Sequence, residues 1–221
     1  MPARHPANQA RGILSIWNDI APGTEDFYER WYMSEHFPER LGVPGFLRGR
    51  RHEAIDADRK YFTFYELAHP DVLFSDAYIA RLNAPTAWTE TMMRSWGKMF
   101  RTVCERVRRQ GEAVGGCVAV ARWEGPADLP IDLAHKVQAA LDDPAIVAID
   151  HWRATARQND ATTEASGRPN PDQTISAALV IETTRMSSLG NAVARLPGLI
   201  GAAPAPVIGT YRLIALQEAQ R

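Results

Sequence analysis

A strand-like apolar run, "GILSIWNDI" (12–20), gives way after Thr24 to helical spacing, with Phe27, Tyr28, Trp31 and Tyr32 recurring within "TEDFYERWYMSEH". Glu35 and His36 close this helix, and Pro38, which has no N–H to donate, marks its stop. The turn "GVPG" follows. Next come two β-rich runs, "FLRGRRHEAI" and "KYFTFYEL", joined by the polar "DADR" as a hairpin. "VLFSDAYIARLN" returns to helical spacing. From Pro85 to Arg109 one continuous helix competes with a helix and a strand divided near Gly97, and the β-rich "MFRTVCERV" favours the division. The second half repeats the order: "GCVAVARWEG" as strand, "IDLAHKVQAALDD" as helix, "AIVAIDHWRATAR" and "TISAALVIETT" as strands, "SSLGNAVARL" as helix and "VIGTYRLIALQEA" as strand. Between two of these strands, residues 158–173 are polar and contain Pro and Gly, which predicts a mobile loop.

Strand, helix, strand, strand, helix, strand therefore occurs twice. The fold class this predicts is α+β, with two tandem ferredoxin-like (βαββαβ) repeats, at 12–108 and 116–219. Helices cover one face of each antiparallel sheet, so the other face needs a partner. Two sheets packed face to face as an α/β barrel supply it and leave a space between them. In the first repeat Leu14, Ile16, Phe62 and Phe64 form an apolar set suited to the helices. Ser15, Trp17 and Asp19 with Tyr61, Thr63 and Tyr65 form a mixed set expected to line the space.

Composition narrows the partners. With 25 basic and 26 acidic residues the 221-residue chain has a formal net charge of -1, too little positive charge to drive nonspecific nucleic-acid binding. A small-molecule substrate is expected instead, and a homodimer through exposed sheet edges stays open. Two cysteines, Cys104 and Cys117, make neither a disulfide framework nor a thiolate zinc cage. The first residues, "MPARHPANQARG", lack the apolar core of a signal peptide, and no run of about 20 apolar residues predicts a membrane helix. A cytoplasmic protein without membrane contact is the expectation. H-E-x-x-H, C-x-x-C, P-loop and G-x-G-x-x-G patterns are all missing, so neither metal nor cofactor is expected.

Trp31, "EHFPER" (35–40), "VPGF" (43–46), "GRR" (49–51) and "YFTFYEL" (61–67) together resemble the dimeric α/β-barrel superfamily and, within it, EthD-like proteins. The likeness covers roughly residues 12–108 at motif level. It implies two ferredoxin-like units enclosing a small-molecule pocket, with His36 as the pocket histidine. Activities within the superfamily range over cofactor-free monooxygenases, polyketide cyclases, decarboxylase- or dehydratase-like lyases and haem enzymes, so fold analogy selects none of them. The G-x-x-D-G pattern of dye-decolourising peroxidases, which share the architecture, is absent; a haem role would need a histidine such as His36 as axial ligand. In the second repeat His135 lies in the corresponding helix without a Glu-His pair, so one working wall is expected, in the first repeat.

The expected catalytic residues are His36, Glu35 and Tyr65. A helix C-terminus and an adjacent carboxylate both favour imidazolium, and a histidine poised near neutrality can exchange protons with substrate. The plainer reading of His36 is a cap on its own helix carbonyls. Arg50 and His52 share one strand face and Arg51 takes the other, so Arg50 and His52 are candidates to bind substrate; a solvated edge strand is the ordinary alternative. Trp17, Asp19 and Tyr61 are further candidates to line the pocket, His69 to mark its rim and His151 to reach it from the second half, while Trp31, Trp88 and Trp96 belong to core or lid. The preferred activity is that of a cofactor-independent lyase (decarboxylase, dehydratase or cyclase) on a small aromatic or polyketide-like molecule. A cofactor-free monooxygenase and a non-catalytic binder of a hydrophobic metabolite are the alternatives.

Overall fold

Alternation in the first strand sets the layers of the molecule. Ile13, Ser15 and Trp17 point one way and Leu14, Ile16 and Ile20 the other, as the period of two requires. The computed structural model describes residues 10–158 and 161–220. Within these, eight strands form: β1 Gly12–Ile20, β2 Phe46–Asp56, β3 Tyr61–Leu67, β4 Trp96–Gln110, β5 Cys117–Trp123, β6 Ile146–Ala154, β7 Ala177–Thr183 and β8 Val207–Glu218. They close into one antiparallel barrel in the order β1-β3-β2-β8-β5-β7-β6-β4. The first four strands run β2-β3-β1-β4 and the last four β6-β7-β5-β8. Hydrogen-bonded seams β2–β8 and β4–β6 join the two groups. The two facing sheets expected from sequence are therefore one continuous wall, because pairing at both seams satisfies the edges that open sheets would expose.

The expected space inside is filled. Ile13, Trp17, Phe62, Phe64, Phe100, Trp152 and Tyr211, drawn from β1, β3, β4, β6 and β8, belong to a single interior cluster. Trp17 stacks on Phe62 with centroids 4.7 Å apart and planes at 15°, a pairing that adds roughly 0.5–1.5 kcal/mol beyond burial. Register explains why one sequence-based grouping fails. Trp17 pairs with Phe62, and Leu14 with Tyr65, so the interior set is Trp17 with Phe62 and Phe64, while Tyr61 and Tyr65 face outward toward the helices. "YFTFYEL" carries aromatic residues on both faces, and its parity is invisible until pairing fixes it.

Helices pack outside. α1 (Glu25–Trp31) runs through a widened π-turn, Tyr32–His36, into α2 (Phe37–Leu41). The helix thus does not stop at His36: Pro38 sits in the first turn of α2, and the π-turn absorbs the break. Gly49 on β2 completes the docking, since a Cβ there would lie 2.1 Å from Phe37 Cε2. α3 (Asp76–Leu82) and α4 (Ala87–Ser95) finish the first outer layer, and the helix-to-strand division falls at Ser95/Trp96, close to the expected Gly97. α5 (Leu133–Ala140) and α7 (Leu189–Ile200) cover the other half.

Residues 161–173, part of the expected loop, contain a short helix that their polar composition does not suggest. Thr163–Ser166 forms α6, capped by the Thr162 hydroxyl, and Glu164 is buried in a salt bridge to Arg40. The rest of that expected loop, residues 159–160, lies outside the described residues, as does most of the expected leaderless N-terminal stretch. No helix among the described residues is long and apolar enough to cross a membrane.

Candidate functional site

Because Tyr65 faces outward and the π-turn lies directly above it, the candidate site forms between the barrel wall and the first helical layer. A small cavity of about 20 Å³ is lined by His36, Arg40, Tyr65, Tyr78, Trp96, Arg101, Glu164 and Arg168, with Leu14, Ile16 and Met99 beneath. That volume holds about one water. Four buried polar atoms of its lining have no hydrogen-bond partner: His36 Nδ1, Arg40 Nη1, Trp96 Nε1 and Arg168 Nε. Unpartnered buried atoms also occur elsewhere in the chain, but four gather on this one cavity, which suits a polar guest such as water.

His36 is 4% exposed, packed at a tilt of 34° against Trp31 with centroids 4.4 Å apart, and edge-on to Tyr32. Burial, reinforced by Arg40, Arg51, Arg168 and Arg101, holds its pKa well below the ordinary imidazole value. This reverses the expectation of an imidazolium favoured by Glu35. The Glu35 carboxylate turns away and accepts from the Thr86 and Thr89 hydroxyls at 2.6 and 2.9 Å. Thr89 in turn accepts from Trp31 Nε1 at 3.0 Å, so Glu35 ties α4 to the ring against which His36 packs. Tyr65 shares a hydrogen bond with Tyr32 at 3.1 Å, and burial pushes its pKa well above the usual phenol value. The cavity therefore combines a neutral imidazole, a neutral phenol and guanidinium groups: a proton acceptor, a proton donor and fixed positive charge.

The other expected site residues lie elsewhere. Arg50 is inside the barrel, bonded to Glu66 at 2.7 Å and Glu182 at 2.8 Å within a network that includes Arg48, Arg106, Arg109 and Asp150. His52 lies against the rings of Phe62 and Phe64 with Nδ1 near the Phe62 carbonyl, and burial, with Arg50 close by, lowers its pKa to about 3. Trp17 is interior packing. Asp19 accepts from the Lys60 amide and approaches Arg59 at the barrel mouth. Tyr61 packs on Tyr28 at 4.8 Å. His151 faces a separate outer groove against α5, and His69 sits exposed in a turn beside Asp71. Of the nine expected residues, the structure brings His36 and Tyr65 together. It is Arg51, on the opposite strand face from Arg50, that reaches this layer, lying over the Tyr32 ring at 3.8 Å and paired with Glu29.

Sequence reasoning missed Arg40, Tyr78, Arg101, Glu164 and Arg168. Arg40 stands within "EHFPER" one turn after His36, a signal that spacing could have offered. Glu164 also lines an outer groove of about 400 Å³ between α4 and α6, with Pro85, Glu90, Met93, Arg94 and Gly167. The Glu164 side of the cavity is thus its thin wall toward solvent.

Neither a protein-family profile nor a curated protein sequence matches the chain. Solved structures do. An anthrone oxidase-like protein superposes with a TM-score of 0.59 at 11% identity, over 96% of this chain and 94% of that one. A monooxygenase candidate from Lactobacillus acidophilus NCFM gives 0.54 at 10% identity, over 95% and 97%. A heme-binding protein from Thermus thermophilus gives 0.51 at 12% identity, over 93% and 92%. At these identities the likeness establishes a shared barrel fold. Haem does not fit the residues present here. His36 is packed against the Trp31 and Tyr32 rings, and the barrel interior is filled with aromatic rings.

Proposed function

We propose that the chain is an enzyme that ionises a small aromatic or polyketide-like molecule at the His36 cavity and passes the resulting carbanion directly to molecular oxygen. The observation that carries this reading is the neutral, buried imidazole of His36 lining one cavity with Arg40, Arg101 and the neutral phenol of Tyr65. His36 accepts the proton from an activated methylene or a phenol. The Arg40 and Arg168 guanidinium groups stabilise the enolate or phenolate. Oxygen then converts the methylene to a carbonyl with release of water, a balanced oxidation of carbon that draws on no other reductant. The names of the fold neighbours, an anthrone oxidase-like protein and a monooxygenase candidate, tilt the reading this way. The same first step serves a lyase, in which Tyr65 returns a proton to the carbanion, and this is the second reading. Glu35 contributes by holding α4 and Trp31 in place.

The His36 cavity alone admits about one water, so in this reading the substrate occupies it together with the adjoining outer groove of about 400 Å³ once α6, whose Glu164 lines both, moves aside. We also read residues 12–108 and 116–219 as duplicated ferredoxin-like units of an EthD-like chain, with the first unit carrying the chemistry; the matching strand order of the two halves supports this. The test is oxygen uptake by metal-free protein supplied with anthrone or dihydroxynaphthalenes. Uptake equal to quinone formed supports the oxidase; substrate loss at an unchanged rate without oxygen selects the lyase instead.

A further inference from the structure

Three guanidinium groups line the His36 cavity, and two have carboxylate partners. Arg40 pairs with Glu164, with Glu39 at 3.9 Å, and Arg168 pairs with Asp172 at 2.7 Å. Arg101 differs. Only 7% exposed, it projects from β4 beside Ile16 of β1 into the helical layer, and its one side-chain hydrogen bond among the described residues goes to the Tyr78 hydroxyl at 2.7 Å. No carboxylate among the described residues stands within ion-pair distance of it. A buried charge without a counter-charge is costly, and folded proteins pair such groups. Here the residue faces a cavity whose His36 Nδ1, Trp96 Nε1, Arg40 Nη1 and Arg168 Nε also lack partners.

We infer that Arg101 binds a carboxylate carried by the substrate, so that the natural substrate is an aromatic or polyketide-like acid rather than a neutral phenol. A carboxylate on Arg101 supplies the missing counter-charge in a planar, two-bond geometry. The Tyr78 hydroxyl, which accepts from Arg101, keeps its own proton to donate to the second carboxylate oxygen. His36, one side of the same cavity, is then left for the proton that ionises. The inference rests on reading this cavity as the reactive site, and it adds the anionic group that orients the ring within it.

The test is calorimetric titration of the full chain with benzoate and with phenol, using wild type, Arg101→Met and Arg101→Lys, together with thermal melting of each protein without ligand. Benzoate affinity is expected to fall at least tenfold in Arg101→Met and to be partly kept in Arg101→Lys, with phenol affinity unchanged throughout. Because the wild-type charge lacks a partner, ligand-free Arg101→Met is expected to melt no lower than wild type. Equal benzoate binding by wild type and Arg101→Met, or none by wild type at millimolar concentration, overturns the inference. Phenol binding lost in parallel with benzoate also overturns it, since Arg101 would then take the ionised phenol itself. Turnover is not read, so a benzoate site on Arg101 in a protein that consumes no oxygen would sink the oxidase reading and leave the carboxylate site standing.

Discussion

His52 lies in the barrel wall with its ring against Phe62 and Phe64, while His36 lies outside the wall beneath Trp31; both are buried and held neutral. Their pKa values in the folded chain fall below the roughly 6.5 of an unfolded histidine. As pH drops below that value the unfolded chain takes up protons that the folded chain refuses, so stability is lost progressively down to the folded value. For His52 the window runs from about 6.5 to about 3, worth on the order of 3–5 kcal/mol. Glu66, held at about 2 by Arg106, Arg50 and Arg48 against the effect of burial, adds to the loss below about 4.5. Urea midpoints measured between pH 7 and 4 should therefore decline, and His52→Gln should flatten the decline; an unchanged slope would contradict a neutral buried His52. None of this polarity was legible in the sequence. "RRH" fixes which residues share a strand face, but not whether that face meets the barrel interior or the helices.

At the scale of elements, alternation and helical spacing located all eight strands and the main helices, because each is long enough to state its period. The π-turn escaped notice. Trp31 and His36 are five residues apart, about 140° around a regular α-helix, yet their rings are in contact with centroids 4.4 Å apart. Only the widened turn aligns them, and a proline two residues beyond His36 reads in sequence as a simple stop. α6 escaped for a different reason: a polar segment folds there because Arg40, distant in sequence, supplies a partner for Glu164. The docking of α2 on β2 depends on Gly49, whose missing side chain leaves room for the Phe37 ring. Gly49→Ala should cost about 1–3 kcal/mol by overpacking and lower activity by displacing His36. Adding Phe37→Leu should restore much of both, measured by thermal melting and turnover. A stable, fully active Gly49→Ala protein would show that α2 does not depend on this contact.

Across the whole molecule, closing the barrel converts facing sheets into a wall whose interior carries rings in the middle and ion pairs at its ends. At one end Glu66 accepts from Arg48, Arg50 and Arg106 while Glu182 and Asp150 hold Arg109. Glu66→Gln strands buried guanidinium groups and should destabilise the chain by about 3–5 kcal/mol in urea unfolding. A loss below about 1 kcal/mol would mean that the network is solvated. The overall architecture was legible because eight strands and the helices that cover them have few arrangements that bury both faces; the filled interior was not, since it depends on register. That filling moves the candidate chemistry from the barrel centre to the cavity beneath α2, where His36 is the proposed proton acceptor. The most direct test is turnover by His36→Gln, with circular dichroism and melting temperature matched to wild type, on a substrate that the wild type oxidises. The rate should fall on the order of 100- to 10,000-fold. A folded His36→Gln protein working at the wild-type rate would place the catalytic group elsewhere.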